Sequence, residues 1–127
     1  MNISILISGI LALSTTIGHF TMGSKLYLNP MINSNLELVP KKVMHSVFHY
    51  VSVFLITSTI VLLGYGFGLE YFSGSEILIK YIAINYAGFA IWQIFIALTS
   101  KIPSAITKLF QWTFFVLIAL FAWVGIS

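Results

Sequence analysis

Four apolar stretches, each about 20 residues long, leave this chain almost nothing that water could solvate. About 20 helical residues at 1.5 Å each cover roughly the 30 Å of a bilayer's hydrocarbon core. The stretches run over residues 3–22, 40–63, 75–100 and 104–125. They predict an all-α integral membrane four-helix bundle, antiparallel and up-down, as one transmembrane domain over residues 1–127.

Composition excludes the alternatives. Charged residues are 7% of the chain and hydrophobic ones 59%, against about 25% charged in a soluble domain. A soluble surface cannot be built from so few charges. The net charge of +3 comes from six Lys and three Glu, too thin and scattered for a nucleic-acid surface. The absence of Cys excludes disulfides and thiol chemistry. No Lys or Arg precedes the first apolar stretch and no small-x-small cleavage site closes it, so it reads as a retained helix rather than a signal peptide.

Turn and cap chemistry places the boundaries. Pro40 suits the first position of helix two. Three glycines between Gly64 and Gly68 end that helix, and Ser73 with Glu76 has the spacing of a capping box for helix three. Pro103 separates helices three and four. The first loop, from Gly23 to Val39, carries a short amphipathic segment through Leu26, Tyr27, Leu28, Met31 and Ile32. No internal repeat supports an inverted-repeat transporter.

Lysine counting predicts the orientation. Lys25, Lys41, Lys42, Lys101 and Lys108 lie in or beside loops one and three, whereas Lys80 alone lies near loop two with Glu70 and Glu76. Loops one and three are therefore expected in the cytoplasm and both termini outside. Tyr65, Phe67, Tyr71, Phe72 and Trp123 would form the outer aromatic belt.

Polar side chains within hydrocarbon are costly and turn toward the bundle interior. His45 and His49 lie about 7 and 13 Å into helix two, and Gln93 and Gln111 about 10 Å from the cytoplasmic ends of helices three and four. With His19, one turn from the cytoplasmic end of helix one, they predict a polar layer in the inner half of the membrane. Asn85 joins this set, and Thr15, Ser52, Trp92 and Trp112 are expected to line or support it. On helix one, Ser8, Ala12, Thr15 and His19 form a stripe of small and polar residues suited to close helix approach.

All three His, and Met22, Met31 and Met44, fall between residues 19 and 49. Imidazole and thioether are copper ligands, and imidazole also serves zinc and haem iron. His45 and His49, at i and i+4, reach the same way, and His19 from the antiparallel neighbour supplies a third ligand. The candidate metal or haem set is thus His19, His45, His49 and Met44, with haem or copper as the cofactor expected. The same side chains also serve as ordinary interhelical hydrogen-bonding and packing groups.

The run from Gly18-His19 to Pro30-Met31, followed by His45-Ser46-Val47-Phe48-His49-Tyr50-Val51-Ser52, resembles small bacterial four-helix membrane proteins of uncharacterised function. The matching residues are His19, Gly23, Lys25, Pro30, Phe48 and His49, in the first half of the chain. The resemblance implies a bacterial cytoplasmic (inner) membrane and favours His19 and His49 over His45. It implies no activity.

Three functions compete: a binding module for a transition metal or haem, an accessory subunit of a homo-oligomer or larger membrane complex, and a small transporter or channel with a His–Gln filter. No helix core carries an Asp or Glu, which weighs against a proton-coupled carrier. No Cys, Asp, HExxH or phosphate loop is present, so an enzyme is not expected. The expected partner is the lipid bilayer, with no nucleic acid.

Overall fold

A computed structural model describes residues 1–127. The chain is all-helical, with no strand. Five helices follow in order: α1 (Ile3–Ile32), α2 (Leu38–Gly66), α3 (Glu76–Thr99), α4 (Ala105–Lys108) and α5 (Gln111–Val124). A single 3-10 turn, Glu70–Phe72, lies between α2 and α3. The first three are long and apolar enough to cross a membrane; α5 is apolar but shorter.

α1 is sandwiched between α2 and α5, and α3 packs along α5. The backbones of α2 and α3 scarcely approach each other. Large aromatic side chains fill the space between them. Phe54 of α2 meets Tyr86 and Phe89 of α3 with ring centroids 5.4 and 5.2 Å apart, and Phe115 of α5 closes the cluster. Tyr86 is fully buried, and its hydroxyl and that of Ser58 share a 2.9 Å hydrogen bond. A buried Tyr hydroxyl needs such a partner, because leaving it unpaired costs about 1–3 kcal/mol.

Small residues let α1 lie close to both neighbours. A Cβ on Gly9 would stand 2.8 Å from Leu63 Cδ2, and one on Gly66 would stand 2.8 Å from the backbone of Leu6. On the other side, Ser4 and Ser8 donate to the carbonyls of Phe121 and Ile118 at 2.7 and 2.8 Å. Thr16 and Thr59 share a buried 3.1 Å bond across the α1–α2 seam. The small stripe of helix one is therefore split. Ser8 faces α5 and His19 meets Ser52 of α2, while Gly9 and Thr16, outside the stripe, also pack on α2.

One residue ties three helix ends together. Asn2 Oδ1 accepts from Ile5 N at 3.1 Å as the N-cap of α1, and its Nδ2 donates to Gly125 O at 2.6 Å. Its backbone N–H donates to Gly66 O at 2.8 Å. The turn from α2 to α3 uses Gly68 and Gly74 in the left-handed region, at φ of 75° and 74°, which other residues adopt reluctantly.

Several boundaries differ from those read in the sequence, each for a local reason. Helix one continues past Met22 to Ile32, because His19–Leu28 winds as a π-helix, with Asn29 N–H donating to Ser24 O. Gly23 and Pro30 therefore do not break it. Pro30 falls in the first turn of the α-helical segment Asn29–Ile32, where its missing N–H is tolerated. Helix two begins at Leu38, placing Pro40 inside its first turn. The Ser73–Glu76 capping box does not form. Ser75 is the N-cap, and Glu76 instead accepts from the Tyr65 hydroxyl at 2.9 Å. Helix four is interrupted at Leu109–Phe110, after Ser104 adopts a left-handed conformation with φ 55°. Trp112 Nε1 donates to Ile106 O at 2.9 Å across the break.

Candidate functional site

The π segment, the break between α4 and α5, and the first half of α2 border an open-sided cavity of about 350 Å³. On α1, Gly18, His19, Met22, Gly23 and Tyr27 line one wall. Phe48, Val51 and Leu55 of α2 form the second, and Phe110, Gln111 and Phe114 the third. His19, Gly23 and Tyr27 are four residues apart, and the wide π turn keeps them along one side of the helix. No charged side chain is among the lining residues.

His19 is held firmly at this wall. Its ring stacks on Phe48 at 4.0 Å with 17° between planes, and Phe20 meets its edge. Nε2 lies 2.9 Å from Ser52 Oγ and 3.2 Å from Phe48 O, and Ser52 Oγ donates to Phe48 O at 3.0 Å. We assign the tautomer from these three contacts, with the Ser52 hydroxyl proton given to the Phe48 carbonyl. If Nε2 carried a lone pair it would face the lone pairs of the Phe48 carbonyl, so the proton belongs on Nε2. Nδ1 is left with its lone pair and no hydrogen-bond partner. Gly23 keeps that atom uncovered, since a Cβ there would stand 3.8 Å from Nδ1.

A relay of amides runs from Gln93 of α3 through Gln111 of α5 to Tyr27 of α1. Gln93 Nε2 donates to Gln111 Oε1 at 2.8 Å, and Gln111 Nε2 donates to Tyr27 Oη at 2.9 Å. Gln93 Oε1 is buried without a partner. The reverse orientation would bury an amide N–H₂ with unmet donors, a rarer and more costly state than an unmet carbonyl. Polar groups from α1, α2, α3 and α5 thus meet in two sets, His19–Ser52 and Gln93–Gln111–Tyr27.

The other sequence candidates fall elsewhere. His45 and His49 pair with each other, Nε2 to Nε2 at 3.3 Å, outside the cavity lining. No three metal-ligating side chains converge. The expected triad of His19, His45 and His49 therefore does not assemble: His19 lines the cavity, whereas His45 and His49 pair with each other outside it. Met44 is exposed. His19 is the one imidazole among the residues that line the cavity. Asn85 Nδ2 donates to Tyr81 O of its own helix, so it takes no part in the polar sets. Trp92 is two-thirds exposed and Trp112 caps the helix break. Thr15 donates to Leu11 O and lines the cavity.

Tyr27 and Gly23 are among the cavity residues that the sequence did not single out as site residues. Their signal lay in the spacing 19, 23, 27, which is visible only once helix one is known to continue. No family model, curated protein or solved structure matches this chain.

Proposed function

We propose that the chain is a polytopic membrane protein of the bacterial cytoplasmic membrane that binds a small, mostly apolar molecule in the His19 cavity. In this reading α1, α2, α3 and the α4–α5 pair cross the bilayer. The end that gathers Lys25, Lys41, Lys42, Lys101 and Lys108 faces the cytoplasm, and both termini lie outside. The breadth of exposed apolar surface supports it. Only 23 of 127 residues are buried, while Ile10, Ile17, Val53, Ile60, Ile84 and Leu98 are all exposed. Water would not tolerate that surface, and lipid would.

The cavity carries the binding reading. About 350 Å³ within a bundle this small is at the lower end of ligand-site volumes. It corresponds to about a dozen water-sized groups at ~30 Å³ each. Gly18 lines it, and a Cβ there meets nothing within 4 Å, so the side chain of Gly18→Leu is expected to take up part of the space. The test is the melting temperature of detergent-solubilised protein with and without pentylbenzene. A molecule that binds only the folded state raises it. Stabilisation of the wild type and none of Gly18→Leu is expected; equal responses would reject the cavity as the site.

A second reading rests on one distance. The 3.3 Å between His45 Nε2 and His49 Nε2 is about the separation of two nitrogens bound at ~2.0–2.1 Å to one tetrahedral zinc ion. Here the pair would hold a transition metal such as zinc or copper, with water completing the shell. Elemental analysis of metal-supplemented protein beside His49→Ala tests it. Metal-free wild type would end this reading.

A further inference from the structure

We infer that the ligand of the cavity is a neutral molecule that donates a hydrogen bond, an alcohol or a phenol, to His19 Nδ1. The inference rests on the cavity-binding reading above and adds the chemistry of the occupant.

Neutrality comes from the walls. No Lys or Glu lines the cavity, and an ion held there would lack the pairing that burial of charge requires. The need for a donor comes from His19. Its Nε2–H is committed to the Ser52 and Phe48 oxygens, so the imidazole cannot turn without breaking both contacts and the stack on Phe48. What remains is one in-plane lone pair on Nδ1. No side chain or backbone group donates to it, and the missing side chain of Gly23 leaves its approach open. Gln111 gives one N–H to Tyr27 Oη and accepts from Gln93 through Oε1, and neither Gln111 nor Tyr27 makes a hydrogen bond to Nδ1. A ligand that lacks a donor would trap this acceptor unpaired in an apolar pocket. Polar sites reject such analogues for that reason.

The size of the cavity matches 4-pentylphenol, which has about a dozen non-hydrogen atoms. Its methyl ether is the discriminating partner, because it keeps the shape and loses only the donor. Dissociation constants for both are measured on the full chain in mild detergent by titration of the melting temperature. The phenol should bind the wild type roughly three- to tenfold tighter than the ether, as one neutral hydrogen bond predicts.

Two variants locate that preference. In Gly23→Ala the new methyl sits 3.8 Å from Nδ1 and 3.7 Å from the Phe48 ring, an ordinary contact that leaves the fold intact while covering the acceptor. In His19→Phe the stack on Phe48 is retained and Ser52 keeps its bond to Phe48 O, so no buried group is orphaned. Both variants should bind phenol and ether about equally. Equal binding of the two by wild type, or a preference that persists in both variants, overturns the inference while the cavity reading stands. Failure of either compound to bind wild type overturns the cavity reading itself.

Discussion

Substituting alanine for individual glycines of α1 should separate those that set helix contacts from those that border empty space. Gly9 and Gly18 both lie within the first helix and differ in what a Cβ would meet. At Gly18 it meets nothing within 4 Å, so Gly18→Ala should stabilise by about 1 kcal/mol through helix propensity alone. At Gly9 the Cβ lies 2.8 Å from Leu63 Cδ2 and 2.9 Å from Leu63 N, against a comfortable ~3.5–4.0 Å. Leu63 N belongs to the α2 backbone, so rotation of a side chain cannot relieve it. The helices must part by several tenths of an ångström, at an overpacking cost of about 1–3 kcal/mol. Set against the same propensity gain, Gly9→Ala should be neutral to about 2 kcal/mol less stable. The two variants should therefore differ by about 1–3 kcal/mol, a factor of roughly 5–150 in the folding equilibrium. Unfolding by SDS in mixed micelles, followed by circular dichroism, measures this directly. Equal stabilisation by both variants would refute the close approach of α1 and α2.

Two further outcomes follow from the same contacts. Ser58→Ala should cost more than Tyr86→Phe, about 2 against about 1 kcal/mol, because Ser58 Oγ retains Leu55 O while the buried Tyr86 hydroxyl has no second partner; equal losses in SDS unfolding would contradict this. The chain has no Cys, so single cysteines report topology cleanly: a membrane-impermeant maleimide should label Ser73→Cys in intact cells, and Asn35→Cys only after permeabilisation, with the reverse pattern inverting the proposed orientation.

The apolar stretches were legible in the sequence because their length and lack of charge allow little but helices. Their ends were less so. Gly23 and Pro30 read as helix breakers, and nothing in their spacing announces the π winding that carries helix one on to the Asn29–Ile32 turn. Helix four looked continuous because Ser104 in a left-handed conformation carries no sequence signature of the kind glycine provides. The faces of helix one were partly legible. Periodicity picked out Ser8, Ala12 and His19 but could not say which neighbour each meets, so Gly9 and Thr16 went unremarked on the seam with α2. For the site, depth along each helix brought His19, Gln93 and Gln111 to notice. Depth says nothing of rotation, which is why His45 and His49 were grouped with His19 although they lie outside the cavity. Tyr27 was read as part of a loop and could not be paired with Gln111.

In the proposed function, the cavity beside His19 holds one small neutral molecule within a lipid-embedded helix bundle. Native mass spectrometry of protein extracted gently from its membrane tests it most directly. The account predicts a single one-to-one adduct on the wild type, released on mild activation and absent from Gly18→Leu. Wild type without any adduct, or the same adduct on Gly18→Leu, would contradict it.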